Sequence, residues 1–208
     1  MIPTRLSAQV LLDLPPVLSH FLEQERNPWV EGIPRAGKLY LREHQGLFRS
    51  LEDLAAERQA LLDYLGFERA RALLYLMGFE VGRRDAQVHF EEFKRSFRLA
   101  LQAPPVIRQL AGGGVSEQGR FEFDLDSRTL YREIQLAESS ESAVHRLISK
   151  DESHTACWST AGYFAGNMSE LLGRRVITLE SECSVKGDKR CRFVSRFEPE
   201  WDADADWV

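Results

Sequence analysis

The apolar rhythm of the chain changes from helical to extended near its middle. Between residues 8 and 25, Val10, Leu11, Leu14, Val17, Leu18, Phe21 and Leu22 recur at helical spacing, and Pro15-Pro16 divides them into two short helical pieces. Gly37-Lys38-Leu39-Tyr40-Leu41 reads as a brief strand after a Pro/Gly turn. Ser50 to Leu65 predicts an amphipathic helix stopped by Gly66. Phe67 to Val81 predicts a second, with Leu73, Leu74 and Met77 on one side, and Gln87 to Leu101 a third. Pro104-Pro105 is expected to close this helical half, and the leucines from Leu54 to Met77 read as core or dimer packing.

After Gly112-Gly113-Gly114 the period moves towards two. Arg120–Asp126 and Thr129–Leu136 predict a hairpin turned at Asp126-Ser127-Arg128. Ser139 and Ser140 are candidate caps for a helix through Ile148. Another helix is expected from Ser153 to Leu172, stopping at Gly173, followed by strands over Arg174–Ser181 and Cys191–Phe197. The fold class expected is therefore α+β: a helical amino-terminal half with a short strand segment, then a mixed helix and antiparallel-sheet domain. The organisation reads as an amino-terminal segment over 1–50, a helical and hairpin part over 51–136, a cysteine-bearing subdomain over 137–197 and the start of an acidic linker over 198–208.

With 208 residues, 43% of them apolar, the chain is long enough for one substantial core. A net charge of −5 argues against a face built for phosphate backbones, so no direct nucleic-acid contact is expected. The amino terminus lacks the basic and apolar regions of a signal peptide, and no apolar run reaches membrane-spanning length. A soluble cytoplasmic protein is expected, with no membrane partner. Gly32-x4-Gly37-Lys38 nearly spells a phosphate-binding loop, but Leu39 stands where the magnesium-binding Ser/Thr belongs, and a strand is expected to follow.

The three cysteines are too few and too uneven for a disulfide framework, and two of them lie eight positions apart. In Cys157-x22-Glu180-x2-Cys183-x7-Cys191, the first donor comes from a helix and the others from the ends of neighbouring strands, with Lys186-Gly187-Asp188 as the turn between. Three thiolates and a carboxylate would fill a tetrahedral zinc site with no position left for water, which is a structural site. The competing reading is that the cysteines are small buried hydrophobes. Spacing also leaves the fourth donor open among Glu180, His154, one helical turn before Cys157, and Glu182. No nucleophile elbow or catalytic carboxylate pair stands out, so no enzymatic activity is expected.

Several stretches resemble a known family. These are Gly37-Lys38-Leu39-Tyr40-Leu41, Leu65-Gly66-Phe67-Glu68-Arg69-Ala70, Gly78-Phe79-Glu80-Val81-Gly82-Arg83-Arg84-Asp85-Ala86, Cys157-Trp158, Gly162-Tyr163, and the run from Glu180 to Arg192. Over nearly its whole length the chain is similar to the amino-terminal sensor of XylR/DmpR-type activators, a XylR-N segment joined to a 4-vinyl-reductase domain. The resemblance implies zinc on Cys157, Glu180, Cys183 and Cys191, a homodimer packed through the amino-terminal segment, and a buried pocket for an aromatic effector. It further implies an attached or partner ATPase that the sensor restrains until the effector binds, and that works with the nitrogen-type sigma factor. The alternative is a stand-alone 4-vinyl-reductase-like protein in tetrapyrrole metabolism or a protein-interaction adaptor.

The expected pocket departs from its relatives. Phenol sensors of this type hold the hydroxyl with a histidine and a tryptophan, and Arg108 and Leu136 match those positions. Asn167 and Thr178 replace aromatic residues. These four are the candidate ligand-binding residues, and a buried guanidinium at Arg108 points to an anionic effector. The competing reading has Arg108 facing solvent beside the Gly112–Gly114 loop.

Overall fold

The computed structural model describes residues 5–6, 30–33, 38–41, 44–46, 49–92, 96–124 and 129–201. The helical pieces expected over Ala8–Glu25 and the hairpin turn at residues 126–128 lie outside them. Three short strands, β2 (Val30–Ile33), β3 (Lys38–Leu41) and β4 (His44–Gly46), form an antiparallel meander. Gly32 is paired with Leu39 within it and Lys38 opens β3, so the lysine of the near-phosphate-loop sequence begins a strand and not a helix.

Helix α1 (Leu51–Leu65) begins at a capping box in which Ser50 and Asp53 satisfy each other's backbone amides, and ends at Gly66, whose φ of 76° suits glycine. Helix α2 spans Phe67–Glu92 without interruption, and α3 spans Phe97–Leu110 behind the Ser96 cap. The expected third helix is therefore displaced. Pro104 and Pro105 do not close it but sit inside α3, where every residue from Leu101 to Ile107 is buried. Their missing amides cost two intrahelical hydrogen bonds, and burial of this apolar stretch outweighs that local preference.

Strands β5 (Val115–Asp124) and β6 (Thr129–Ala137) form the expected hairpin. Helix α4 (Ser140–Ile148), helix α5 (Trp158–Leu172), strand β7 (Val176–Glu182) and strand β8 (Cys191–Phe197) follow. With β1 (Arg5–Leu6) pairing to β5, they make a five-stranded antiparallel sheet in the order β1-β5-β6-β8-β7. Beyond β8, the Trp201 indole donates to the Ile177 carbonyl at 3.3 Å and Glu200 accepts from the Leu130 amide at 2.9 Å, tying the chain back to the sheet.

Helix α5 is sandwiched between this sheet and α2. Its sheet side carries Phe164, whose ring meets Phe193 edge-on at 5.5 Å. Its other side is a glycine seam. A Cβ built at Gly78, Gly82, Gly162 or Gly166 would collide with the carbonyl of Ser159, Tyr163, Tyr75 or Phe79 respectively, so the two backbones lie in direct contact. Small residues thus form the packed face of α2, and Leu73, Leu76, Met77 and Val81 project outwards, exposed. Of the two readings given to Leu73 and Met77, core or dimer packing, the core one is not met, because only small side chains fit the seam.

The interior divides into two apolar clusters. One gathers Phe97, Leu101, Phe121, Phe123, Leu130, Met168, Val176 and Phe197. The other gathers Tyr75, Ile134, Leu136, Tyr163, Phe164 and Phe193 with all three cysteines.

Candidate metal centre and ligand-binding layer

The cluster at the cysteine end is assembled from three chain segments. Cys157 stands at the entrance of α5, not inside it as the sequence suggests. The reason lies in the preceding turn, where the Glu180 carboxylate accepts the amides of Ala156 at 3.2 Å and Cys157 at 2.8 Å through Oε2. Glu141 on α4 then accepts the amides of Ser159 and Thr160, each at 2.9 Å, and so caps α5 from outside its own sequence. Cys183 follows β7 and Cys191 opens β8; a single 3-10 turn over Ser184–Lys186 and Gly187 at φ 90° reverse the chain between them.

Donor atoms of Cys157, Glu180, Cys183 and Cys191 all lie within 4.8 Å of one another, and the three thiols are buried. Cys157 Sγ is 3.5 Å from Cys191 Sγ, which is 3.9 Å from Cys183 Sγ. Tetrahedral thiolates on a common zinc would be separated by about 3.8 Å. Glu180 Oε1 is buried without a hydrogen-bond partner, the condition of a donor atom kept for a ligand. Burial, then the charge of Cys191, pushes the Glu180 carboxyl up to about 8, and burial likewise drives the Cys157 thiol far above its ordinary value. Four crowded acidic groups of this kind are able to ionise together only around a cation.

His154 and Glu182 are elsewhere. His154 is exposed with its ring 4.7 Å from that of Phe67, and Glu182 pairs with Arg192 at 3.3 Å. Two serines that the spacing does not single out enter the cluster instead. Ser142 Oγ lies 3.2 Å from both Cys157 and Cys191, and Ser139 Oγ 3.2 Å from Cys157, so Ser139 does not cap α4 with its side chain. The Ser184 amide donates to Cys191 Sγ at 3.4 Å, and Asp188 accepts the Cys183 amide at 2.8 Å. Arg58 from α1 reaches the same turn, donating to the Ala156 carbonyl at 2.7 Å and stacking 4.1 Å over the Trp158 ring.

The candidate pocket residues fall on the inner side of the fold. Arg108 is half-buried, donating to Thr160 Oγ1 at 3.1 Å and lying 5.4 Å over the Tyr163 ring, so its guanidinium leans on helix α5. Leu136 is fully buried and is the cross-strand partner of Cys191, so it adjoins the thiol cluster. Asn167 donates weakly to the Gly82 carbonyl at 3.5 Å and keeps Oδ1 unpartnered. Thr178 Oγ1 bonds Ser195 Oγ at 2.7 Å, and its amide donates to the Tyr75 hydroxyl at 3.2 Å.

A residue not anticipated from the sequence completes this layer. Arg132 is 3% exposed and faces inwards between Leu130 and Ile134. It is paired across the sheet with Ser195, which is paired with Thr178. The row Arg132–Ser195–Thr178 therefore runs between the two apolar clusters as a buried polar layer. The signal is legible in the strand itself, because Leu130, Arg132, Ile134 and Leu136 share one face.

A helix pair laid on an antiparallel sheet, with a thiol cluster at one end and a polar layer inside, makes this a mixed α/β domain. Residues 29–124 match the XylR_N family, described as activator of aromatic catabolism, and residues 141–197 match the 4-vinyl-reductase domain family. The chain belongs to the amino-terminal sensor domains of XylR-type activators. It is 26% identical over 192 residues to the transcriptional regulatory protein XylR of Pseudomonas putida, covering 89% of this chain and 33% of that protein. To the phenol regulator MopR of Acinetobacter guillouiae it is 26% identical over 167 residues, covering 80% of this chain and 30% of that protein. The chain thus spans about a third of the length of these curated relatives. The crystal structure of the phenol-responsive sensory domain of the transcription activator PoxR, with phenol, superposes with a TM-score of 0.77 at 26% identity, covering 89% of this chain and 90% of that one. Among the described residues no helix is long and apolar enough to cross a membrane.

Proposed function

We propose that this chain senses a small organic effector on behalf of a transcription activator, and that its output is a conformational change, not a turnover. The observation that carries this is the likeness to a phenol-responsive sensory domain along nearly the whole chain, joined here to a buried polar layer. Arg108, Leu136, Asn167 and Thr178 contribute to the effector site, and an ATPase, attached or separate, is restrained until the site is filled. The protein works in the cytoplasm and contacts nucleic acid only through its partners.

Cys157, Glu180, Cys183 and Cys191 hold one structural zinc. The ion would supply no reactivity, since all four positions around it are taken by protein. It would fasten the α5 entrance to the β7 and β8 ends, and ion binding would be coupled to folding. The exposed stripe of Leu73, Leu76, Met77 and Val81 supports a homodimer. We retain the division into an amino-terminal dimerisation segment over 1–50, a ligand-binding part over 51–136, a zinc subdomain over 137–197 and a linker from 198.

Native mass spectrometry with metal analysis on the same preparation tests the reading. One zinc per chain in a dimer carrying an extra small mass is expected. A metal-free monomer would overturn the zinc and dimer assignments together.

A further inference from the structure

Among the described residues, Arg132 is the buried charge with the fewest partners. A guanidinium has five N–H donors and does not lose its proton to relieve burial. Here Nη1 reaches only the Met168 sulfur at 3.0 Å, Nη2 is buried with no partner, and the Phe121 ring lies 5.6 Å away. Among the described residues no carboxylate pairs with it. Burial lowers its pKa to about 10, with Tyr163 the sole opposing influence. An uncompensated buried cation of this kind costs several kcal/mol, roughly, and is kept only where something else offsets it.

Its surroundings are those of an anion site. Ser195 is its cross-strand neighbour, and Thr178 extends the same hydroxyl row. The Tyr163 hydroxyl is buried and held protonated, first by burial and then by Asp85. Arg108 Nε is also buried and unpartnered, and both arginines exert their charge on Tyr163. Apolar clusters lie on either side of the row, suited to the body of a small ligand. A cleft of about 420 Å³ beside β7, lined by Trp158, Ala161, Thr178, Glu180, Arg192 and Trp201 among others, leads to Thr178 from the surface.

We propose that Arg132 anchors the carboxylate of a small, largely apolar organic acid, with the hydroxyls of Ser195 and Thr178 beside it and Arg108 flanking the site. The planar fork of the guanidinium matches a carboxylate through two parallel hydrogen bonds, and ligand charge would neutralise what the fold leaves uncompensated. This rests on the sensor reading above and specifies the chemical class that the sensor admits. It also moves the decisive cation from Arg108, whose Nη2 is engaged by Thr160, to Arg132.

Isothermal titration of the full chain at neutral pH with benzoate, its uncharged isostere benzamide, and phenol decides the matter. Benzoate is expected to bind one per chain, at least about tenfold more tightly than benzamide, a difference near 1.4 kcal/mol. In Arg132→Met that preference disappears while metal content and unfolding temperature are kept, because removing an unpaired buried charge does not destabilise the fold. Should Arg132→Met not fold, Arg132→Lys, which keeps charge but loses the fork, is expected to weaken benzoate by roughly tenfold. Benzamide or phenol binding as well as benzoate would sink the carboxylate class and leave the sensor reading standing. Retention of the benzoate preference in the folded Arg132→Met variant would remove Arg132 as the anchor. Failure of all three probes to bind would overturn the carboxylate anchor, while the sensor reading stands or falls on the copurified mass.

Discussion

Glu180 grips the backbone of Cys157: its Oε2 accepts the Cys157 amide at 2.8 Å, while its Oε1 has no partner of its own. One member of the thiol cluster thereby positions another, and the carboxylate has two separate tasks. Replacing Glu180 by glutamine exchanges an ionised donor for a neutral one in the same space. Glu180→Gln is expected to lower zinc affinity by about tenfold or more, whereas Glu182→Gln, at an exposed ion pair, leaves it unchanged. Competition with a chromogenic chelator measures both; equal loss in the two variants would contradict the assignment.

Cys183 has no such divided role. Cys183→Ser is expected to abolish stoichiometric zinc and to produce a poorly folded protein, not a well-folded one lacking only a response. Chelation of the parent protein should act in the same direction, lowering the unfolding temperature by about 10 °C or more, since several kcal/mol of binding energy is lost. Circular dichroism melts with and without chelator provide the check, and an unchanged melt would argue against a structural ion.

The glycine seam gives a prediction independent of metal and ligand. In Gly166→Ala the added methyl collides with the Phe79 backbone, which has no rotamer to yield. Destabilisation of about 2–3 kcal/mol is expected from urea unfolding. A variant within a few tenths of a kcal/mol of the parent would mean that α2 and α5 are free to separate.

Leu76 and Met77 project from α2 into solvent. The double variant Leu76→Glu, Met77→Glu is expected to give a folded monomer, because the charges fall on the apolar stripe and not on the packed seam. Light scattering after size exclusion distinguishes this from a dimer held elsewhere.

Arg108→Ala removes the contacts to Thr160 and to the Tyr163 ring and one of the two cations near Tyr163. Benzoate affinity is expected to fall by roughly tenfold with zinc retained, as read by calorimetry and metal analysis on the same sample. Unchanged affinity would separate Arg108 from the effector site.

How far the sequence discloses this structure depends on whether local preference and tertiary packing agree. They agree at α1, where Ser50, Asp53 and Gly66 mark both ends, and in the β5–β6 hairpin, where alternation follows the burial pattern. They conflict at Pro104-Pro105, where a buried helix overrides two strong breakers. They conflict again before Trp158, where carboxylates from distant elements set the helix start. The cysteine spacing contained the thiol cluster, but Ser139, Ser142 and Arg58 enter it from elements whose approach no local pattern encodes. For Leu73 and Met77 the sequence left core and dimer packing open, because apolar periodicity marks a face without saying whether that face turns towards core or solvent.

Direct backbone contact between α2 and α5 leaves no flexible side-chain cushion to absorb movement. Tyr163, Asn167 and Met168 border the polar layer from one helix, and Leu76 and Met77 stand at the surface of the other. A displacement of the inner helix would therefore carry the outer one with it. The seam makes the pair one stiff unit that reaches from the buried polar layer to the protein's exterior.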